Sequence, residues 1–205
     1  MIAAENVFLI LLAAGRSERF GNPNKLEVPF LNKPVGLHVV TAFEAIPFRD
    51  RLVVTDGCTL DFASHGYAVV HNDDPAAGMA QSVKLGVQRA KDDGAQAVLI
   101  ALADMPRVTA AHVYRILDAA DSADAVVASS DGVKPSPPAL FARDRFDFLL
   151  SLDGDAGARD LVRAGRHVVT APAELIDIDT PEDLERLQAL VHDPRAAITR
   201  AVTRR

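Results

Sequence analysis

The stretch from Leu11 to Lys25, LLAAGRSERFGNPNK, places three cationic residues directly after an apolar run. Small residues let a ligand approach the backbone closely, and successive backbone N–H groups can bind an anion. Arginine and lysine side chains add the positive charge that a triphosphate or a pyrophosphate requires. The predicted phosphate loop therefore contains Ala13, Ala14, Gly15, Arg16, Ser17, Arg19 and Lys25.

The glycine spacing of this loop differs from the common nucleotide-binding signatures. A G-x-x-x-x-G-K-[ST] loop needs lysine after its second glycine, but Asn22 follows Gly21, and G-x-G-x-x-G is absent. A strand-to-helix turn with solvated arginines would have the same composition. The residues alone leave both interpretations open.

A carboxylate, Asp104, follows the apolar run AVLIAL in the sequence LADMP. A charged group at the end of a buried strand costs solvation unless a cation pairs with it. Mg²⁺ prefers oxygen ligands, so Asp104 is a candidate metal ligand. An aspartate that leads into a helix, in a turn fixed by Pro106, is an equally supported alternative.

Two more carboxylates, Asp177 and Asp179, are two residues apart in LIDIDTPED. On a predicted strand they would face the same side, and like charges there repel unless a cation lies between them. The residues that follow have a structural explanation. Threonine caps a helix, proline occupies its first position and acids occupy its first turn, which accounts for Thr180, Pro181 and Asp183.

Two predicted helix starts carry further polar residues. In GMAQSV, Gly78 opens a helix, and the hydroxyl of Ser82 can both donate and accept hydrogen bonds. In GDAGAR, Asp155 suits a helix N-cap and Arg159 suits a local ion pair.

The elements that must position these residues alternate between strand and helix. Five short, continuous apolar runs are typical of strands covered on both faces, and three segments between them have helical periodicity. This alternation predicts an α/β fold with a parallel sheet, whose ligands gather beyond the carboxyl ends of the strands. The predicted strands are 7–13, 51–55, 67–71, 97–102 and 125–129, the helices are 34–46, 79–90 and 109–120, and 131–138 is predicted to be an irregular loop.

The composition is that of an ordinary globular protein. The 205 residues carry a net charge of −6, which argues against a general nucleic-acid partner, and no apolar run reaches the roughly 18 residues of a membrane span. The single cysteine, Cys58, allows no intrachain disulfide and is interpreted as a core filler. We expect a cytoplasmic protein with one domain over residues 1–192 and a C-terminal arm over 193–205, which is either disordered or packed on a neighbouring subunit.

Taken together, these motifs resemble the molybdenum-cofactor nucleotidyltransferases, the MobA-like family. LAAGRSERFG-x3-K resembles the signature loop L-x-x-G-x-S-x-R-[FM]-G-x-x-K, and the other motifs follow in the family's order. The alanines before the glycine are similar to the cytidylyltransferase branch, whereas a glycine at Ala14 would be similar to the guanylyltransferase branch. The resemblance covers about Val7 to Leu190.

The resemblance implies a three-layer, mostly parallel, Rossmann-like fold of the glycosyltransferase-A type. It also implies transfer of CMP from CTP to the phosphate of molybdopterin, with Mg²⁺ as cofactor and a molybdenum hydroxylase apoenzyme as a recipient partner. The implied catalytic residues are Lys25, Arg16 and Asp104, with Asp104 and Asp179 on the metal and Asp155 and Arg159 at the acceptor. The implied nucleotide-binding residues are Leu12, Ala13, Ala14, Gly15, Arg16, Ser17, Arg19, Lys25, Gly78 and Ser82.

One departure concerns the acceptor. The cytidylyltransferases carry G-H-P before an apolar strand, and this chain has Ser136-Pro137-Pro138 instead. The open alternatives are GTP as the nucleotide, a sugar or alditol phosphate as the acceptor, and a non-catalytic carrier of the cofactor. A nicotinamide-dependent oxidoreductase is disfavoured by the missing G-x-G-x-x-G.

Overall fold

The protein is described here by a computed structural model that covers residues 1–14, 20, 24–74, 78–153 and 158–192. Seven strands form one central sheet, and two short strands form a separate hairpin. The sheet contains β1 (Val7–Ala13), β4 (Asp50–Thr55), β5 (Ala68–His71), β6 (Ala97–Leu102), β7 (Val126–Ser130), β8 (Pro135–Ala142) and β9 (Arg166–Val169), and the hairpin contains β2 (Pro29–Phe30) and β3 (Lys33–Pro34).

The sheet is mostly parallel, as predicted. Its strand order is β5-β4-β1-β6-β8-β7-β9, and β8 alone runs antiparallel to its neighbours. The central strand β1 pairs in parallel with β4 and β6, so that Leu9 lies opposite both Arg51 and Leu99. The carboxyl ends of β1, β4 and β6 therefore meet at one edge of the sheet.

Helices cover both faces of the sheet, which gives three layers. Every residue of β1 is buried, and its side chains alternate between two apolar clusters. One face packs against α1 (Val35–Phe43), α3 (Ala110–Ala119) and α6 (Pro181–His192), and the other against α2 (Met79–Asp92), α4 (Phe146–Leu150) and α5 (Arg159–Ala164). Continuous apolar runs are what strands buried on both faces require.

Two predictions about local structure were wrong. The segment predicted as the loop 131–138 is partly strand, because β8 begins at Pro135 and pairs with β7. Prolines cannot donate to a ladder, but β6 pairs with β8 only from Ala139 onward, so the proline-rich half loses no bond on that side. The segment that carries Asp177 and Asp179 is irregular rather than a strand, and it follows the 3₁₀ helix Pro172–Leu175.

Two smaller expectations concern the core and the membrane. Cys58 is buried in the apolar cluster beneath α1, and burial raises the pKa of its thiol, in agreement with a core filler. Within the ranges described above, no helix has the length and apolar character needed to cross a bilayer.

Candidate active site

The ammonium of Lys25 lies between two carboxylates beyond the carboxyl end of β6. Its Nζ donates to Asp104 Oδ2 at 2.6 Å and to Asp179 Oδ1 at 2.8 Å. The side chains of Lys25 and Asp104 are only 11% and 17% exposed, while that of Asp179 is 31% exposed. Residues that are 79 and 154 positions apart thus form one charged cluster.

Backbone contacts bring these carboxylates together. The N–H of Ile178 donates to the carbonyl of Asp104 at 3.0 Å, which holds the segment before α6 alongside the turn after β6. Asp183 Oδ2 then accepts from the N–H of Asp179 and of Thr180, and the Thr180 hydroxyl accepts from the N–H of Asp183. This reciprocal cap confirms the structural interpretation of Thr180 and Asp183, and it also fixes the backbone of Asp179.

Burial and charge act against each other in this cluster. Burial by itself would lower the pKa of Lys25, but the charge of Asp104 and hydrogen bonds to Asp104 and Asp179 outweigh it and raise that pKa. Burial raises the pKa of Asp104, the Lys25 charge opposes this, and the charge of Asp177 adds to the increase. The lysine is therefore held in its protonated form, and loss of water is the main reason that the pKa of Asp104 is raised despite the neighbouring ammonium.

The two carboxylate oxygens of Asp104 differ in their hydrogen bonds. Its Oδ1 is buried and accepts no hydrogen bond from the described part of the chain, whereas its Oδ2 is held by Lys25. A buried carboxylate oxygen without a donor is costly, so this atom suits a cation. Among the described residues there is no group of three or more histidine, cysteine or acidic side chains arranged for a metal. Mg²⁺ needs fewer protein ligands than that, because it is commonly bound by one or two carboxylates together with phosphates and waters.

A second set of residues lines the start of α2. Leu12 and Ala13 end β1 and are buried, and Ala14 is half-buried beside them. Gly78 precedes α2 with φ of 77°, a conformation that favours glycine, and no side chain of the described residues caps this helix. Backbone N–H groups in the first turn of α2 are therefore available to a ligand.

Asn72 is a residue of this region that the sequence did not single out. Its side-chain amide donates to Ser82 Oγ at 3.0 Å, and its Oδ1 accepts from the N–H of Asp74 at 3.0 Å. Both Asn72 and Ser82 are buried. Asn72 thus orients the Ser82 hydroxyl, whose own proton remains available to another acceptor. Only its position directly after β5 could have drawn attention to it.

A cavity of about 490 Å³ opens beside these elements. Its walls are mainly apolar and come from β1, α2, β6, β8 and α5. Three cationic residues, Lys134, Arg159 and Arg163, also line it, and no acidic residue does so among the described residues. Arg159 was singled out from the sequence. Lys134 and Arg163 were missed, because an isolated lysine and a second helix arginine have no distinctive pattern.

Several predicted site residues lie outside the described residues. These are Gly15, Arg16, Ser17, Arg19 and Asp155. The predicted arm over 193–205 also lies outside them.

The family of the chain follows from its sequence as a whole. Residues 9–170 match the MobA-like NTP transferase domain. The chain belongs to this family. It is therefore a nucleotidyltransferase, and the resemblance inferred from its motifs is confirmed.

Curated relatives of this MobA-like protein support the assignment. The purine catabolism protein PucB of Bacillus subtilis is 31% identical over 87% of this chain and 94% of its own length. A phosphoenolpyruvate guanylyltransferase of Conexibacter woesei is 32% identical over 80% of this chain and 78% of its own. A molybdenum cofactor guanylyltransferase of Shewanella pealeana is 25% identical over 90% of this chain and 94% of its own.

Solved structures agree on the fold. Rv0371c of Mycobacterium tuberculosis, crystallised as a complex with manganese, superposes with a TM-score of 0.73 at 25% identity, over 89% of this chain and 98% of its own. A nucleotidyl transferase of Methanothermobacter superposes with a TM-score of 0.75 at 22% identity, over 93% of this chain and 98% of its own. The MobA-like chain therefore has the Rossmann-like nucleotidyltransferase fold predicted for it.

Proposed function

We propose that this MobA-like enzyme transfers CMP from CTP to the phosphate of molybdopterin and releases pyrophosphate. The observation that carries this proposal is the charged cluster beyond β6, where Lys25 joins Asp104 and Asp179 and one oxygen of Asp104 has no partner in the described chain. Such a cluster can hold a divalent cation and the phosphates of a nucleotide in the same place.

The reaction needs no nucleophile from the protein. An oxygen of the acceptor phosphate attacks the α-phosphorus of CTP, the new P–O bond forms in line, and the bond to the β-phosphate oxygen breaks. The electron pair leaves with pyrophosphate. Catalysis then consists of positioning the two substrates and neutralising the charge that develops on the phosphates.

The cations of the chain would neutralise this charge. When bound to Asp104 and Asp179, Mg²⁺ supplies charge neutralisation and a fixed point for the phosphate oxygens. Lys25, Arg16 and Arg19 would bind the triphosphate and the departing pyrophosphate. Backbone groups of Ala13 to Gly15, together with Ser82, would select the base. Leu12, Ser17 and Gly78 complete the proposed nucleotide-binding residues.

The cavity suits the acceptor. The cavity begins at the ends of β1 and β6. Leu102, the last residue of β6, lines the cavity, and Asp104 follows two residues later. Its apolar walls would contact the body of a pterin, and its cationic residues would bind the acceptor phosphate. Arg159 and Asp155 were assigned to the acceptor from the sequence, and Lys134 and Arg163 join them here. A molybdenum hydroxylase apoenzyme is the proposed recipient of the product. The cytoplasm is the proposed location of the MobA-like enzyme.

GTP is the second candidate nucleotide. Two of the three relatives described above are named guanylyltransferases, and the name of one of them includes phosphoenolpyruvate, a small phosphorylated acceptor. Ala13 and Ala14 favour CTP, because alanines before the glycine resemble the cytidylyl branch, whereas a glycine at Ala14 would resemble the guanylyl branch. The missing G-H-P sequence leaves the acceptor open to a smaller phosphate ester.

The test is pyrophosphate release with Mg²⁺, with CTP, GTP, ATP and UTP supplied separately and molybdopterin as acceptor. We expect release with CTP. We also expect Asp104→Asn to lower turnover by at least about a hundredfold, the range seen when one electrostatic contact to a transition state is lost. Asp147→Asn is the matched control, because that exposed carboxylate only bridges Lys91 on the surface.

Each result has a clear meaning. Release with GTP alone would select the second candidate. Tight CTP binding without release would indicate a carrier instead of an enzyme for this acceptor. Full turnover by a folded Asp104→Asn protein would remove Asp104 from the metal site.

A further inference from the structure

We propose that Lys25 occupies the cation position of the Asp104–Asp179 pair until a nucleotide arrives, so that the lysine ammonium and the divalent metal bind these carboxylates alternately. In this proposal the lysine has two successive roles. It first serves as the counter-ion of the empty site, and it then moves to the phosphates. The proposal rests on the proposed function only in assigning the two carboxylates to the metal.

The geometry places one ammonium where a metal bridging the two carboxylates would bind. Lys25 Nζ is within 2.8 Å of an oxygen from each carboxylate. A metal bound by those same oxygens would have to lie close to this position, because it must be within about 2.1 Å of both oxygens that the ammonium already contacts. Two cations cannot share that position, so one must leave when the other binds.

Burial explains why the site needs a cation at all times. The Asp104 side chain is 17% exposed, and its Oδ1 is buried without a hydrogen-bond donor in the described chain. A carboxylate with so little water is stable only beside a positive charge. Lysine suits a temporary role, because its charge is compact and its four-carbon stem is flexible.

The triphosphate would drive the exchange. It brings a new anionic partner for Lys25, and its oxygens complete the ligands of the metal. Metal binding without nucleotide is then weakened by competition with Lys25. Nucleotide and metal should therefore bind cooperatively, with the free enzyme in the lysine-bound state.

The decisive experiment measures Mn²⁺ binding to the nucleotide-free protein, with free Mn²⁺ followed by electron paramagnetic resonance. Lys25→Met keeps the length of the side chain and removes its charge. We expect this variant to bind Mn²⁺ at least about tenfold more tightly than the wild type, and we expect addition of Asp104→Asn to remove the gain. Lys91→Met, which loses an exposed pair with Asp147, should bind Mn²⁺ as the wild type does. Equal or weaker binding by Lys25→Met would overturn the proposal.

A second measurement uses the wild-type protein and does not depend on the stability of a variant. Lys25 is acetylated with acetic anhydride, and its rate relative to Lys91 is read by mass spectrometry. Saturating Mn²⁺ should raise the relative rate several-fold, because it expels Lys25 from the carboxylates. An unchanged rate with Mn²⁺ bound would mean that the metal uses Asp104 Oδ1 while the lysine stays in place, which overturns the exchange.

Neither measurement requires turnover. If Mn²⁺ and Lys25 exchange but no nucleotide releases pyrophosphate, the proposed function fails and the exchange stands. If CTP releases pyrophosphate but Lys25→Met binds Mn²⁺ no more tightly, the exchange fails and the function stands.

Discussion

Lys25 and Asp104 depend on each other because both are largely removed from water. Breaking a buried ion pair by removing one partner commonly costs about 3–5 kcal/mol, since the other charge is left without compensation. The exposed pairs of this protein, such as Arg145 with Asp124, lie in water and contribute little. The pair beyond β6 is therefore the place where a single substitution changes both the stability and the chemistry.

The choice of base is a prediction at the scale of single residues. Replacing both Ala13 and Ala14 with glycine opens space at the end of β1. We therefore expect the preference for CTP over GTP to shift towards GTP by about tenfold, which corresponds to roughly 1.4 kcal/mol. The measurement is the ratio of kcat/KM for the two nucleotides. Ala63→Gly, at an exposed alanine of the 3₁₀ helix Ala63–His65, serves as a control. An unchanged ratio in the double variant would show that these alanines do not set the base.

At the scale of elements, the close packing of α2 on β1 decides where the helix begins. A methyl group at Gly86 would lie 2.6 Å from Cγ2 of Ile10, and Ile10 is fully buried. Only glycine lets the helix approach this closely. The approach helps to position Gly78 and Ser82, which lie roughly one to two turns before Gly86 at the N-terminal end of the helix.

This packing predicts a cost for a very small change. Gly86→Ala improves helix propensity, but overpacking against Ile10 should outweigh the gain and lower the free energy of unfolding by about 1 kcal/mol. Denaturant unfolding monitored by circular dichroism measures it. Gln88→Ala on the exposed side of α2 should change the free energy by less than about 0.5 kcal/mol. Increased stability of Gly86→Ala would mean that α2 can shift on the sheet.

At the scale of the whole molecule, a buried hydrogen-bond network joins α3 to the strands β7 and β8. The Ser129 hydroxyl donates to the carbonyl of Pro138, so it must accept from Nε2 of His112. Arg115 donates to Nδ1 of the same ring and also to the hydroxyl of Thr170. These partners require the neutral form of His112.

The network predicts a pH dependence of stability. Burial, with the charge of Arg115, lowers the pKa of His112 below its ordinary value of 6.5. The unfolded chain therefore binds a proton that the folded protein does not, so the free energy of unfolding falls as the pH drops below about 6.5. Burial lowers the pKa of His38 in the same direction.

A comparison of variants isolates the contribution of His112. Between about pH 7 and pH 5, the wild type should lose about 1 kcal/mol more of its free energy of unfolding than His112→Gln does. Thermal and denaturant unfolding at each pH give the values. His167→Gln changes an exposed histidine and should follow the wild type. Parallel pH profiles for the wild type and His112→Gln would contradict the neutral, buried assignment.

The sequence alone was enough for the family, the layered α/β fold and the principal strands and helices. Apolar runs such as 7–13 and 97–102 can be identified locally, because a strand buried on both faces must be apolar throughout. The family could also be identified from the sequence, because each of its motifs, from the first loop to Thr180, is a short continuous stretch of chain. The strand β8 was missed because its first half contains three prolines, which are rare in strands and are accommodated here because β6 pairs with β8 only from Ala139 onward.

Only the tertiary structure decided which charges meet. Nothing local in the sequence indicates that Lys25, 79 residues before Asp104, would reach that carboxylate, or that Asp179 would reach the same ammonium from an irregular segment. The contact between Asn72 and Ser82 also depends on the tertiary structure, and so does the meeting of three cationic residues at the cavity. Local patterns specify which face of an element is buried, whereas the pairing of distant charges depends on how the packed elements align their ends.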